Sequence, residues 1–238
     1  MKLIRREDII HRMQLQRLLI AIVDSPILSQ NLHFKGGTCA TMLGFLDRFS
    51  VDLDFDLVAG SEPAKLRQEL AKIFLELDLK VENNNEKSLF FVLKYQTPPG
   101  RRNTLKLSVS EDVIKSNDYK KVKITEIDRL VSCQTVETMF ANKLVAPTDR
   151  FNKHQKIAGR DIYDIHYFFS QGYGYKNGVI EERTGLKAGE YINKLAKFID
   201  EKVTEKILTE DLNTLLPFEK FNKIRKVLKP EVLRFLVP

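Results

Sequence analysis

Residues 51–57 read Val-Asp-Leu-Asp-Phe-Asp-Leu, a strict alternation of apolar and acidic side chains. On an extended strand, every second side chain shares a face. Val51, Leu53, Phe55 and Leu57 then enter a core, while Asp52, Asp54 and Asp56 stand side by side on the opposite face. Carboxylates that close repel one another, and Asp is a poor strand former. A hard divalent cation such as Mg²⁺ or Mn²⁺ relieves the repulsion, because it takes carboxylate oxygens and keeps coordination positions for phosphate. The plainer reading of the same pattern is a solvated acidic strand face, and for Asp56 a solvated strand end.

A second cluster lies just upstream. Gly36-Gly37-Thr38 separates a strand-like run at 31–35 from a short helical run at 38–45. Glycines let backbone N–H groups approach a phosphate, and Thr38 reads as an N-cap with a free hydroxyl. No Lys-Ser or Lys-Thr follows, so this is not a P-loop, nor does the spacing fit the dinucleotide fingerprint. A phosphate cradle, a short helix and then a strand with paired carboxylates is the arrangement that nucleotidyl transfer needs. Metal bridges the triphosphate and the attacking hydroxyl and stabilises the entering and leaving oxygens.

These residues need a scaffold, and the hydrophobic pattern supplies one. Helical spacing covers 6–24 and 62–77, and strand-like runs occur at 51–57, 79–83, 88–96, 104–110 and 121–126. The segment TPPGRRN at 97–103 reads as a hairpin connection. From about residue 130 the pattern turns helical, with helices expected at 134–146, 159–171, 187–200, 204–213 and 217–228. The expected fold class is α+β: an N-terminal mixed sheet with flanking helices over 1–130, followed by a helical domain over 131–238.

Composition narrows the function classes. The chain has 238 residues, 43% of them hydrophobic, which is enough for a packed core. No apolar run approaches a membrane span, and the charged start lacks the apolar core of a secretion signal, so a cytoplasmic location is expected. Cys39 and Cys133 are far apart, and the four histidines show no ligand spacing, which leaves any metal to oxygen ligands. The balance of 39 Lys and Arg against 32 Asp and Glu, a net +7, suits polyanionic partners such as nucleotides or RNA. The basic runs at 115–123 and 220–229 read as solvated faces.

Residues 36–57, GGTCATMLGFLDRFSVDLDFDL, resemble the first motif of the AbiEii/AbiGii nucleotidyltransferase toxins, a branch of the polymerase-β-like nucleotidyltransferases. Three further blocks follow in the family's order: LKLSVS at 105–110, VETMFANKLVA at 136–146 and GRDIYD at 159–164. The resemblance implies that Gly37 and Thr38 hold the β- and γ-phosphates of an NTP and that Asp52 and Asp54 ligate Mg²⁺. It implies that Lys143 pairs with the triphosphate and that Asp161 matters for activity. Lys106 falls on the family's conserved lysine, Arg160 is a secondary candidate, and Arg48 and Ser50 read as support for the loop. One departure stands out: the family has an acid two residues after the Lys106 position, and here that place is Ser108, with Asp56 as a possible substitute ligand. Strand alternation puts Lys106, Ser108 and Ser110 on one face, with Ser108 expected beside Asp54.

The family role so implied is the toxin of a toxin–antitoxin or phage-abortive system, with a winged-helix antitoxin encoded beside it and an RNA acceptor, tRNA in some relatives. Two other readings remain open from the residues alone. One is transfer to a small molecule of the aminoglycoside kind. The other is a non-catalytic domain that only binds nucleotide, which Ser108 favours.

Overall fold

The structure is a computed structural model that describes residues 8–85 and 88–237. The contacts cluster into two units, one of residues 1–113 with 119–134 and the other of residues 114–118 with 135–238.

In the first unit, helix α1 (Asp8–Asp24) and helix α2 (Pro26–Asn31) precede strand β1 (Leu32–Lys35), helix α3 (Gly36–Met42), strand β2 (Leu53–Leu57) and helix α4 (Pro63–Glu76). Strands β3 (Lys80–Asn85), β4 (Phe90–Lys94), β5 (Thr104–Ser110), β6 (Tyr119–Ile124) and β7 (Arg129–Gln134) complete a seven-stranded sheet in the order β3-β4-β5-β2-β1-β7-β6. The sheet is mixed: β2 runs antiparallel to β1 and parallel to β5, and β1 runs parallel to β7.

Alternation produces the expected two-faced sheet. Phe34, Leu53, Leu105, Leu107 and Cys133 are wholly buried, and the Phe34 and Phe55 rings lie 5.2 Å apart. Helix α3 contacts β1 and β2, α1 contacts β5 and β7, and α4 contacts β3, with α1 presenting the buried stripe His11, Leu15, Leu18, Leu19 and Ile22 at helical spacing. Burial of each large apolar side chain contributes roughly 1.5–3 kcal/mol, which is what holds the acidic face outward.

The second unit holds helices α5 (Val136–His154), α6 (Gly159–Ser170), α7 (Asn177–Thr184), α8 (Ala188–Lys202), α9 (Glu205–Leu212) and α10 (Phe218–Leu236). Helix α6 packs on α5, α9 and α10, around Phe140, Phe168 and Tyr163. Together the mixed sheet and the helical region make the α+β class.

Several elements differ from their sequence outline. The helix expected at 6–24 is seen from Asp8, and residues 1–7, including the charged start, lie outside the described residues. Helix α1 ends at Asp24 as expected, and Pro26 opens a further short helix, α2, capped by the Ser25 hydroxyl. Strand β7 follows β6 through a turn in which Asp128 takes φ 53°, and its six residues are too few for their periodicity to stand out. Helix α5 runs through Pro147 and α10 through Pro230, past the ends expected at 146 and 228. The aromatic stretch at 173–175 packs inward, Tyr175 against Phe140 and Phe169, as a connection between α6 and α7. Among the described residues no helix is long and apolar enough to cross a membrane.

Candidate active site

The polar face of the sheet is set by register. Asp54 lies opposite Lys35 on β1 and opposite Ser108 on β5; Asp56 lies opposite His33 and Ser110. Ser108 is therefore beside Asp54, with Leu105, Leu107 and Val109 turned into the core and Lys106 exposed on the Ser108 face. Asp52 stands one residue ahead of β2, partly exposed, since the strand begins at Leu53 and not at Val51.

Gly36 takes φ +79°, and a Cβ built on it would fall 2.5 Å from Asp54 Oδ2. The Asp54 carboxylate thus rests directly against the turn that enters α3, an approach that only glycine allows. Gly37 is similarly closed in: its Cβ would fall 2.8 Å from Ser50 Oγ and 3.2 Å from an Arg48 guanidinium nitrogen. Gly36→Ala is expected to destabilise the protein by about 1–2 kcal/mol through the left-handed backbone alone, and to lower transfer further by displacing Asp54. Urea unfolding beside an activity assay checks both. A variant with unchanged stability and transfer would show that the turn tolerates a side chain.

Thr38 corrects one expectation. Helix α3 starts at Gly36 with Lys35 as its cap residue, so Thr38 lies inside the helix. Its side chain is wholly buried, and its hydroxyl lies 2.5 Å from the Asp52 carbonyl and 3.0 Å from Ser50 Oγ. A hydroxyl has one proton to give, and the Asp52 carbonyl accepts it. The Thr38 hydroxyl therefore anchors the segment before β2. Arg48, buried, donates to the Phe49 carbonyl, in keeping with loop support.

Asp56 is no solvated strand end. It is 3% exposed and accepts hydrogen bonds from Lys35 Nζ at 2.5 Å, Gln134 Nε2 at 2.7 Å and Tyr119 Oη at 2.9 Å. The Lys35 ammonium also donates to Ser110 Oγ at 2.7 Å. His33 stacks on Tyr119 at 3.8 Å and bonds Ser132. Its basicity is lowered by burial, against the opposing pull of the Asp56 charge. One of the three carboxylates on this face is thus neutralised by the chain itself. Lys35, Tyr119 and Gln134 come from separate strands, and their spacing in sequence does not announce them; the one local hint is a lysine directly before two glycines.

The remaining pair, Asp52 and Asp54, is an oxygen-only donor set. Among the described residues no group of three or more His, Cys, Asp or Glu is placed to hold a metal ion. Two carboxylates still fit Mg²⁺ or Mn²⁺, which keeps waters and is commonly held by one or two carboxylates plus substrate phosphates. Ser108, where a third acid would stand, adds only a neutral hydroxyl.

The segment leading into β2 is held by His11. Its Nε2 lies 2.8 Å from the Val51 carbonyl, which can only accept, so Nε2 carries a proton; Nδ1 lies 2.7 Å from Tyr95 Oη, whose hydroxyl donates to the Arg102 carbonyl at 2.9 Å. Burial lowers the His11 pKa from 6.5 to about 4, chiefly by desolvating the charged form. The folded protein then resists a proton that the unfolded chain takes up below pH 6.5. Stability is expected to fall as pH drops from 6.5 towards 4, by about 3 kcal/mol in total from this residue. Unfolding free energies across that window, with His11→Gln losing this part of the slope, check it; an equal slope in both would assign the effect elsewhere.

In the helical unit, Thr135 caps α5 with its side chain, and Lys143 lies on that helix. Lys143 Nζ is 2.7 Å from Asp164 Oδ2, whose side chain is wholly buried. Asp161, 3% exposed, is held by Arg150 at 2.8 Å. Burial opposes the Arg150 charge, but the Asp161 hydrogen bond and neighbouring carboxylates prevail and raise its pKa. Arg183 bonds Asn142 Oδ1 at 2.7 Å and pairs with Asp149. Arg160 is placed by its backbone N–H on Asp211, with its side chain partly exposed. Arg150 and Arg183 were not singled out by sequence, because each partner is distant along the chain.

The sequence matches the family described as nucleotidyl transferase AbiEii toxin, Type IV TA system, over residues 17–226. No curated protein matches it. Among solved structures, JHP933 from Helicobacter pylori is similar at 19% identity and a TM-score of 0.57, covering 98% of this chain and 95% of that one. MenT4, a nucleotidyltransferase toxin from Mycobacterium tuberculosis H37Rv, is similar at 14% identity and a TM-score of 0.53, covering 98% and 85%. An antigenic nucleotidyltransferase-like protein from Paracoccidioides brasiliensis has a TM-score of 0.50 at 15% identity, covering 87% and 95%. At these identities the structural likeness speaks for the fold.

Proposed function

The chain belongs to the AbiEii nucleotidyl transferase toxin family, and from that premise we propose that it transfers a nucleoside monophosphate from an NTP to RNA, tRNA foremost. The observation that carries the reading is the Asp54 carboxylate seated against the glycine turn, with Asp52 just ahead of it. Asp52 and Asp54 would hold Mg²⁺ or Mn²⁺, which when bound draws charge from the phosphoryl oxygens and favours departure of pyrophosphate. Backbone N–H groups of Gly37 and Thr38 take the β- and γ-phosphates, and Lys143, oriented by Asp164, adds a point charge for the triphosphate. Asp161 supports activity through its place beside Arg150. The acceptor oxygen bonds to the α-phosphorus, the bond to pyrophosphate breaks, and the acceptor proton passes to water. Ser108 is not a base and takes no part in that proton's removal.

An RNA acceptor is supported by charge. Helix α10 carries six Lys and Arg against two Glu, and Lys223, Lys226 and Arg234 are exposed. In this reading the nucleotidyltransferase core expected over 1–130 runs on to the end of β7 at Gln134, and the helical unit expected over 131–238 begins after it and carries Lys143 and Asp161. The toxin acts in the cytoplasm on NTP and tRNA and is held in check by a winged-helix antitoxin. Incubation with each of four α-labelled NTPs and total cellular RNA, with Mg²⁺ or with chelator, tests it. Metal-dependent label in RNA is expected. Label on an aminoglycoside alone would replace the acceptor, and bound nucleotide with no transfer to any fraction would make this a binding domain.

A further inference from the structure

The reading above leaves Lys35 without a role, although it sits at the centre of the polar face. Its backbone is the register partner of Asp54 and the cap residue of α3, one position before the glycine turn. Its ammonium reaches towards β2 and β5, bonding Asp56 of β2 at 2.5 Å and Ser110 of β5 beyond it at 2.7 Å. Asp56 in turn receives Gln134 from β7 and Tyr119 from β6. Five neighbouring strands, β5-β2-β1-β7-β6, are therefore tied across one face through a single buried carboxylate and a single lysine.

We infer that Lys35 is a positioning residue for the cation site: it fixes the glycine turn against Asp54 and keeps Asp56 out of the ligand set. The argument has two parts, and it rests on Asp52 and Asp54 being the cation ligands. The first is mechanical. Asp54 Oδ2 lies 2.5 Å from the place a Gly36 Cβ would occupy, so the turn and the carboxylate are in contact, and a small shift of either displaces the other. Lys35 precedes that turn, and its side chain is pinned to β2 and β5, the two strands that carry Asp54 and Ser108. The second part is electrostatic. Asp56 shares the Asp54 face two residues on, and an unpaired carboxylate there would repel Asp54 or compete for the same cation. The ammonium, with Tyr119 and Gln134, occupies both Asp56 oxygens. Partners that orient metal ligands from outside the coordination shell typically alter metal affinity by about 10–100-fold when removed.

The test is Mn²⁺ titration of the full chain, read by the electron paramagnetic resonance of free Mn²⁺, alongside thermal unfolding. Lys35→Met strands a buried charge on Asp56 and lowers the unfolding midpoint. Lys35→Met with Asp56→Asn removes that charge, while the amide oxygen still accepts from Tyr119 and Gln134. The double variant is expected to recover most of the midpoint yet bind Mn²⁺ about 10–100-fold more weakly than wild type. A double variant that binds Mn²⁺ like wild type would overturn the role of Lys35, leaving it a structural ion pair. Asp54→Ala separates the two levels of the argument. If it binds Mn²⁺ as well as wild type does, or if wild type binds none, the cation site itself is misplaced and the inference falls with it.

Discussion

Replacing Asp54 by Asn is expected to lower nucleotidyl transfer about 100- to 1,000-fold, the scale seen when one preorganised charge-stabilising group is removed from a reacting centre. The fold is expected to survive. Asp54 is only partly buried, its register neighbours Lys35 and Ser108 stay in place, and the substitution removes a negative charge from a face that also carries Asp52 and Asp56. The informative comparison is Asp56→Ala. That carboxylate is 3% exposed and holds three donors, so its loss leaves the part-buried Lys35 ammonium, together with Tyr119 and Gln134, without its acceptor. Breaking a fully buried pair costs roughly 3–5 kcal/mol, and with Lys35 reaching solvent the loss here is expected towards the lower end. Two aspartates separated by a single Phe thus have opposite signatures: Asp54 loses chemistry with little stability, Asp56 loses stability first. Steady-state transfer and urea unfolding on the two variants decide it. Full activity in Asp54→Asn would remove this residue from the site, and an unaltered midpoint in Asp56→Ala would mean that its hydrogen bonds contribute little.

The same two residues show what the sequence discloses. Alternation over 51–57 is a local signal with a period of two, so the sidedness of β2 and the shared face of its aspartates could be read directly. The pairing of Asp54 with Ser108 is not read from alternation, which any shift by two residues preserves; it follows from the family resemblance, which places an acid at the Ser108 position beside the paired aspartates. What separates Asp54 from Asp56 is not local. It depends on Lys35, Tyr119 and Gln134 arriving from other strands, the last two from β6 and a β7 that was not foreseen. Without β7 there is no Gln134 beside Asp56, and the residue reads as solvated. Thr38 misled for a related reason. A threonine after two glycines suits a helix cap, but Gly36 already has the left-handed turn that lets the helix begin earlier, which carries Thr38 inside and gives its proton to the Asp52 carbonyl. Helix α5 outruns its expected end at 146: Pro147 removes one donor, yet the side chains of Leu144, Val145 and Phe140 are buried and hold the helix through it.

Lys143→Ala is expected to weaken NTP binding by about 10–100-fold, the loss of one charge-assisted contact of roughly 1.5–3 kcal/mol, and also to destabilise the protein. The second effect follows from Asp164, whose side chain is wholly buried and 2.7 Å from the Lys143 ammonium. Deleting the lysine strands that carboxylate, a change of roughly 3–5 kcal/mol. Because both losses occur in the single variant, they must be pulled apart. Lys143→Met with Asp164→Asn removes both charges and keeps the shape, so stability is expected to return close to wild type while NTP affinity stays low. Asp164→Asn alone keeps the ammonium but loosens its hold, and intermediate affinity is expected. Lys143 sits on α5 with 16% of its side chain exposed, enough for the ammonium to reach a phosphate while its stem stays against the helix. Nucleotide binding and denaturant midpoints measured on the three variants form the test. If the double variant recovers NTP affinity along with stability, Lys143 serves the helical core alone, and the triphosphate must find its counter-charge elsewhere.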